Sequence, residues 1–175
     1  LAYAFYLKYI GAGEKLWNSY FGLHNPRKDM EWNHLNPLAA VMPFLTPASE
    51  KILNFLKVNI EDEWKWNDWG LKLDFRPKAD VHVEFQPGVT PHVNELGGDT
   101  IVMDDNAPLT EWDVQWTIRH EFGHVLGFTD CYVEFYDMTE KAIVNYQLDI
   151  ENLMCSRKGR IQESHYMTMK EAYLK

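Results

Sequence analysis

The chain has 175 residues, of which 46% are hydrophobic, 14% aromatic and 25% charged. A chain of this length and composition can bury a hydrophobic core without covalent cross-links, which favours one folded domain over a disordered or fibrous protein. The formal net charge of −9 argues against a nucleic-acid partner, because phosphate binding needs clustered Lys and Arg. The apolar stretch that opens the chain is too short to span a bilayer.

The N-terminal segment, residues 1–45, combines an apolar start with a proline-rich continuation. The apolar spacing from Leu1 to Phe21 predicts one or two short helices, with a break at Gly11–Gly13. Residues 22–47 carry four prolines and predict mainly loop. We therefore expect residues 1–45 to be an extension or a supporting segment.

The middle of the chain alternates between helical and strand-like patterns. Thr46–Glu50 predicts the start of a helix that continues to about Trp64. Alternating apolar residues predict strands at 71–77 and 81–87, and the apolar run of residues 100–104 predicts a buried strand.

Two further helices are predicted after these strands. Residues 109–128 carry an apolar helical stripe, preceded by a capping box formed by Thr110 and Asp113. A last helix is predicted from about Glu163 to the end of the chain.

The sequence RHEFGHVLGFTDC, residues 119–131, places two histidines four positions apart on the long predicted helix. Residues at this spacing share one helix face, so His120 and His124 can both reach one ion. Glu121 is rotated from His120 by about 100° and can reach a water on that ion as a general base. Two imidazoles in a hydrolytic site favour zinc. The same five residues also arise by chance on surface helices that bind no metal.

A glycine and an aspartate extend this motif. Gly127 can adopt a positive φ, end the helix and turn the chain sharply. The turn can bring Asp130 back to the ion as a third ligand, which leaves one coordination position open for catalysis. Glu134 and Asp137 are the competing carboxylates, and each lies further past the turn.

A methionine downstream completes a resemblance to the metzincin clan of zinc endopeptidases. Their pattern is an extended zinc motif with its glycine, followed by a methionine-containing turn beneath the metal. The matching residues here are His120, Glu121, His124, Gly127 and Asp130, with Met154 in ENLMCS as the turn methionine. Aspartate in place of the clan's usual third histidine is similar to the small secreted bacterial peptidases called snapalysins.

The resemblance implies an α+β, zincin-like fold in a single catalytic domain. Residues 46–127 would form an upper part, a twisted mixed β-sheet with a backing helix and an active-site helix. Residues 128–175 would form an irregular lower part with the Met-turn and a C-terminal helix.

The resemblance also implies how a substrate binds. An edge strand between Val89 and Thr100 would bind extended peptide in antiparallel fashion. The S1′ pocket would involve residues 156–161, whose basic SRKGR sequence indicates acidic or polar substrate side chains. Some clan members carry a tyrosine ligand two residues after the turn methionine; Ser156 stands there, so no such ligand is expected.

The two cysteines follow two elements of the expected site. Cys131 comes directly after Asp130, and Cys155 directly after Met154. In the fold that the resemblance implies these segments are neighbours, so a disulfide is expected, and two buried thiols are the alternative. A disulfide indicates an oxidising compartment, which predicts a secreted or otherwise extracytoplasmic protein.

These observations predict a zinc-dependent endopeptidase that acts as a monomer on protein or peptide substrates. Oxygens of Asp104–Asn106 could bind calcium, although a solvated turn explains the same residues more simply. Two other classes stay open: a catalytically silent zinc-bearing binding or toxin module on a peptidase scaffold, and a helical structural protein without metal.

Overall fold

The computed structural model describes residues 2–175, so that Leu1, the first residue of the predicted N-terminal helix, lies outside the described residues. The chain combines helices and sheets in an α+β fold, as predicted. The elements are α1 (Ala2–Ser19), β1 (Ala39–Leu45), α2 (Glu50–Leu56), β2 (Lys65–Trp66), β3 (Trp69–Arg76), β4 (His82–Gln86), β5 (His92–Val93), β6 (Thr100–Asp104), α3 (Trp112–Val125), β7 (Tyr132–Asp137), β8 (Ala142–Gln147) and α4 (Glu163–Tyr173). No helix within the described range is long and apolar enough to cross a membrane.

Six strands form two small mixed sheets. In the first, β3 is central, parallel to β1 and antiparallel to β2. In the second, β6 is central, parallel to β4, with β5 antiparallel at the outer edge. A hydrogen bond of 2.7 Å from Leu45 N to Val81 O joins the end of β1 to the residue before β4. The strands predicted from alternation and from the apolar run are confirmed as β3, β4 and β6.

Strand β1 lies in a region that the sequence predicted as loop, and that prediction is wrong. Its Met42 and Phe44 are fully buried in the core. The prolines suggested a loop, but Pro43 does not disturb the ladder. The neighbouring amides of Val41 and Leu45 donate to Glu31 O and Val81 O, away from β3. Because the pattern alternates, the missing N–H of Pro43 also falls on the side that does not pair with β3.

The helices agree with the sequence in position but not in detail. α1 runs without interruption through Gly11–Gly13, so the predicted break is wrong. Each of the two glycines destabilises the helix by only about 1 kcal/mol relative to alanine, and a helix of 18 residues can tolerate this loss. α2 continues as a π-helical segment, Lys57–Glu61, close to the predicted end.

The predicted capping box of α3 is also wrong. The residue at the N-cap is Glu111 rather than Thr110, and its side chain makes no capping hydrogen bond. The long helix itself is confirmed as α3, and the final helix is confirmed as α4.

The lower part is less irregular than expected. Residues 132–147 form an antiparallel hairpin, β7–β8, with Tyr132 opposite Gln147 and Asp137 opposite Ala142. The sequence signal was weak because most side chains on both faces of this hairpin are exposed or only half-buried, so no clean alternation marks the strands.

The segment between α1 and β1 is hydrogen-bonded to the turn after α3 and to the C-terminal residue. His24 N donates to Gly127 O at 2.7 Å, and Lys175 N donates to Trp32 O at 3.0 Å. Trp32 is 2% exposed and belongs to the main core. This part of the expected extension is therefore a structural layer against the α3 turn and the C-terminus.

Candidate metal centre and its cleft

α3 and the turn after it bring the motif residues together. His120 and Glu121 are buried on α3, and His124 lies one turn further along the same face. Gly127 has a φ of 98°, as the sequence predicted, and a side chain there would collide with the backbone carbonyl of His24. The turn at Gly127 returns the chain towards the helix, so that Asp130 faces both histidines.

Two backbone carbonyls determine which imidazole nitrogen is free. His120 Nδ1 lies 3.1 Å from Leu153 O, and His124 Nδ1 lies 2.7 Å from Phe128 O. A carbonyl oxygen only accepts, so each Nδ1 carries the hydrogen and donates it. Each Nε2 then presents a lone pair.

The two Nε2 atoms point at a carboxylate. Asp130 Oδ1 lies 3.1 Å from His120 Nε2 and 3.4 Å from His124 Nε2, and the ligand atoms of all three residues lie within 4.8 Å of one another. Within residues 2–175, Asp130 Oδ1 is a buried atom without a hydrogen-bond partner. Three lone-pair acceptors thus converge with no donor among them, an arrangement that needs a proton or a cation.

The pKa values of Asp130 and His124 reflect this excess of acceptors over donors. Burial by itself raises the pKa of the Asp130 carboxyl, but the facing imidazoles outweigh it and hold the pKa far below its usual range. Burial likewise lowers the pKa of His124, yet the carboxylates of Asp130 and Glu121 raise it overall. The ionised carboxylate of Asp130 and the protonated imidazole of His124 are both favoured, because each lies beside groups of opposite charge.

The geometry fits a small cation. Ligands about 2.0–2.1 Å from a tetrahedral ion are about 3.3–3.4 Å from each other, close to the 3.1 Å and 3.4 Å between Asp130 Oδ1 and the two Nε2 atoms. The competing carboxylates are engaged elsewhere: Glu134 accepts from Asn145 Nδ2 at 3.2 Å, and Asp137 accepts from the amides of Thr139 and Glu140 in the hairpin turn. His120, His124 and Asp130 can therefore hold a metal ion, and no second cluster of this kind occurs in the described part of the chain.

Glu121 stands beside this cluster and lines the same cleft. Its Oε2 is buried and has no hydrogen-bond partner among the described residues. Burial raises the pKa of the Glu121 carboxyl, and the neighbouring imidazoles offset part of the increase. The side chain is a buried acceptor that lines the cleft next to the three potential ligands.

Met154 packs directly against α3 at Gly123. A side chain on Gly123 would collide with the sulfur of Met154 and approach Trp64 to 3.2 Å, so the helix and the turn pack backbone to side chain. The expected disulfide is present: Cys131 and Cys155 are bonded, and Cys131 N donates to Met154 O at 3.1 Å. The loop that carries Asp130 and the segment that carries Met154 are thus covalently joined.

A buried histidine, His165, is hydrogen-bonded through Asn152 to the segment that carries Met154. Gln162 N donates to His165 Nδ1 at 2.9 Å, so His165 Nε2 carries the hydrogen and donates to Asn152 Oδ1 at 3.1 Å. Asn152 Oδ1 also accepts from Met154 N at 2.8 Å. Burial lowers the pKa of His165 to about 4.

Sequence reasoning missed Glu63, which connects the helix to the segment after the Met-turn. Its carboxylate is 2% exposed and accepts from Ile161 N at 2.9 Å and from Arg160 at 2.5 Å. Arg119, the residue before His120, lies 3.4 Å from the same carboxylate. No local pattern identifies such a residue, because its partners are 56 to 98 positions away.

Sequence reasoning also missed Arg27, which holds the loop before β6. Its guanidinium donates to Gly97 O and Gly98 O and pairs with Asp29 and Asp99. Gly97 N in turn donates to His124 O at 2.8 Å. The loop is therefore fixed against the C-terminal end of α3, where it forms one wall of the cleft.

The cleft has two lobes that meet at the cluster. The first, of about 350 Å³, is lined by β5 and the loop after it, with His92, Glu95 and Leu96. The second, of about 300 Å³, lies between α3, the hairpin and the segment after the Met-turn. Both lobes are lined by Pro91, His120, Glu121 and Tyr132.

Of the predicted S1′ segment, Arg157 and not the whole SRKGR run lines the second lobe. Arg160 pairs with Glu63, and Ser156 and Ile161 are buried. The basic charge in the lobe is thus one arginine, whose guanidinium lies 3.4 Å from Asp113.

Asp104, expected in a solvated turn or a calcium site, accepts from the amides of Gly88 and Asn106.

Comparisons with known proteins give little beyond this geometry. No protein-family model and no curated protein matches the chain. Among solved structures, the structure of myroilysin is a distant neighbour, with a TM-score of 0.37 and 20% sequence identity. The match covers 51% of this chain and 48% of that one, so about half of each is compared.

Proposed function

We propose that this chain is a zinc-dependent endopeptidase, with His120, His124 and Asp130 as zinc ligands and Glu121 as the general base. The observation that carries the proposal is the convergence of three lone-pair atoms without a donor, next to a buried, unpaired glutamate in an open cleft. The likeness to myroilysin is too slight to support it. The link to the metzincin clan, and to snapalysins through Asp130, rests on the motif residues.

Zinc suits this donor set better than the other common ions. Two neutral imidazoles and one carboxylate are typical of catalytic zinc, whereas calcium and magnesium prefer oxygen ligands only. Three protein ligands leave a fourth position open, as catalysis requires. Bound zinc would lower the pKa of water in that position and polarise the carbonyl of the scissile bond.

The residues around the ion have separate tasks. The carbonyls of Leu153 and Phe128 fix the two imidazole tautomers and direct each Nε2 into the cleft. Glu121 accepts a proton from the attacking water on its free Oε2 and then delivers it to the leaving amine. Met154 and the disulfide keep the third-ligand loop in place under the helix.

The substrate would lie across the cluster as an extended peptide. β5 is the edge of its sheet and borders the first lobe, so a peptide can extend the sheet by antiparallel pairing. A single catalytic domain acting as a monomer, in an extracytoplasmic compartment, completes the proposal. The disulfide is compatible with that location.

Cleavage of a random peptide library by the purified protein, with and without a zinc chelator, tests the proposal. We expect cleavage that the chelator removes and that Glu121→Ala lowers by about 10²–10⁴-fold while the zinc content stays at one ion per chain. Glu111→Ala, at the start of the same helix where the side chain makes no capping bond, is the matched control and should keep its activity.

Two other results would contradict the proposal. Zinc-loaded protein that cleaves no peptide in the library would favour the alternative of a silent binding or toxin module. Activity that persists in Glu121→Ala would remove Glu121 as the general base.

A further inference from the structure

The hairpin β7–β8 projects beside the catalytic cleft and is attached to the body mainly at its base. There, the Cys131–Cys155 disulfide and a hydrogen bond from Leu148 N to Cys131 O fix the two ends of the hairpin. A two-stranded hairpin alone is marginally stable in water. The hairpin nevertheless exposes five large apolar side chains: Phe135, Tyr136, Met138, Ile143 and Tyr146. Such a concentration of exposed apolar surface indicates a binding role.

One face of the hairpin continues the second lobe of the cleft. Side chains alternate along a strand, so Tyr132, Glu134 and Tyr136 share one face of β7. Their cross-strand partners are Gln147, Asn145 and Ile143. The inner two pairs all line the second lobe, whereas no residue of the opposite face does. Tyr136 and Ile143 therefore extend the cleft wall outwards; they are 54% and 71% exposed.

The direction of β5 determines which end of a substrate reaches this face. Thr90, before β5, borders the second lobe, while Val93 and Leu96 border the first. A peptide that pairs antiparallel with β5 thus runs from the first lobe to the second. Its N-terminal part occupies the first lobe, and the residues after the scissile bond pass along the hairpin.

The length of the strand indicates which substrate residue reaches the apolar pair. Tyr132 lies where the lobes meet, and Tyr136 is four residues further along β7. At about 3.3 Å per residue, this is about 13 Å, the length of about four residues of an extended peptide. Side chains two and four positions after the scissile bond would point to the same side, with the fourth beside Tyr136 and Ile143.

We propose that Tyr136 and Ile143 form a specificity-determining surface for an apolar side chain at about the fourth substrate residue after the scissile bond. The inference rests on the proposed peptidase function and deepens it. The preferred substrates would be extended or unfolded polypeptides that reach well beyond the cleavage point, rather than short peptides.

Peptide binding to the zinc-loaded Glu121→Ala protein tests this surface without cleavage. Three fluorescent peptides share one sequence selected from a random library for binding to that protein. One ends two residues after the expected scissile bond, one carries Leu at the fourth residue after it, and one carries Ser there. Because partial burial of one apolar side chain contributes a little over 1 kcal/mol, we expect the Leu peptide to bind about tenfold more tightly than the other two.

Two double variants locate the effect on the hairpin. Tyr136→Ser with Ile143→Ser should reduce the tenfold ratio to within about twofold. Phe135→Ser with Tyr146→Ser removes a similar area from the opposite face and should keep the ratio. Near-ultraviolet circular dichroism checks that both variants fold, and the Leu-to-Ser exchange in the peptide needs no change in the hairpin at all.

Each outcome has one meaning. Equal affinity for the three peptides, or an equal loss in both double variants, overturns the proposed surface. The expected binding pattern together with no cleavage by the native protein overturns the endopeptidase proposal and leaves the surface as a peptide-binding site. Cleavage of all three peptides at equal rates, with equal binding, overturns the surface and leaves the endopeptidase.

Discussion

The His120–His124 pair and His165 use the same side chain in opposite ways. At His165 both ring nitrogens have partners, one accepting from Gln162 N and one donating to Asn152 Oδ1. At the pair, each Nδ1 is engaged and each Nε2 faces a carboxylate oxygen that offers no hydrogen. A histidine with both nitrogens satisfied stabilises the structure, whereas two histidines with free lone pairs facing an acid can hold a metal ion.

Zinc affinity should separate these two classes most strongly. His120→Ala removes a direct donor, so we expect the dissociation constant for zinc to increase by more than the roughly 10–100-fold that loss of an outer hydrogen bond causes. His165→Asn should keep one zinc per chain, measured by elemental analysis after dialysis. Equal zinc loss in both variants would mean that the pair does not bind the ion directly.

Exchanges at Asp130 sharpen the comparison by changing the third acceptor. Asp130→Ala should weaken zinc binding about 100-fold or more. Asp130→His should restore much of it, because an imidazole nitrogen coordinates zinc at a similar distance to a carboxylate oxygen. Competition with a chromophoric chelator measures both constants. Wild-type affinity in Asp130→Ala would exclude this residue from the site.

Acid should lower the free energy of unfolding because it protonates His165. Its pKa is about 4 in the folded protein, against 6.5 for the free side chain, so the unfolded chain binds the proton more readily. Stability is thus fully present above pH 6.5 and is lost as the pH falls from 6.5 towards 4. The loss should total about 3 kcal/mol, since one pKa unit corresponds to 1.36 kcal/mol.

Urea unfolding of the zinc-free protein between pH 4 and 7 measures this loss. The same titration of His165→Asn is the control, and its curve should be flatter by about that amount. Parallel pH dependences in the two proteins would show that His165 is not the group responsible.

The smallest expected effect concerns the turn that presents Asp130. Gly127→Ala should lower the free energy of unfolding by about 1–3 kcal/mol, because φ is 98° and the His24 carbonyl leaves no room for a side chain. Gly13→Ala is the control: nothing lies within 4 Å of that position in α1, and alanine there should stabilise the helix slightly. Denaturant titration compares them, and unchanged stability in Gly127→Ala would contradict the strain.

The candidate metal cluster could be predicted from the sequence because its geometry is mostly local. The spacing of His120 and His124 fixes their common face once a helix forms, and Gly127 is the residue that allows the return of Asp130. The signals for β3, β4 and β6 were local as well, since each strand has its own apolar pattern.

The tertiary structure alone determined what depends on distant partners. β1 is a strand because it pairs with β3 and buries its side chains in the core, despite the prolines that predicted a loop. Glu63 and Arg27 are buried ionic groups whose partners come from remote segments, and no local periodicity marks them. The hairpin lies beside the cleft because a disulfide holds its base to the Met-turn. Local spacing specified the candidate ligands, and long-range packing formed the cleft around them.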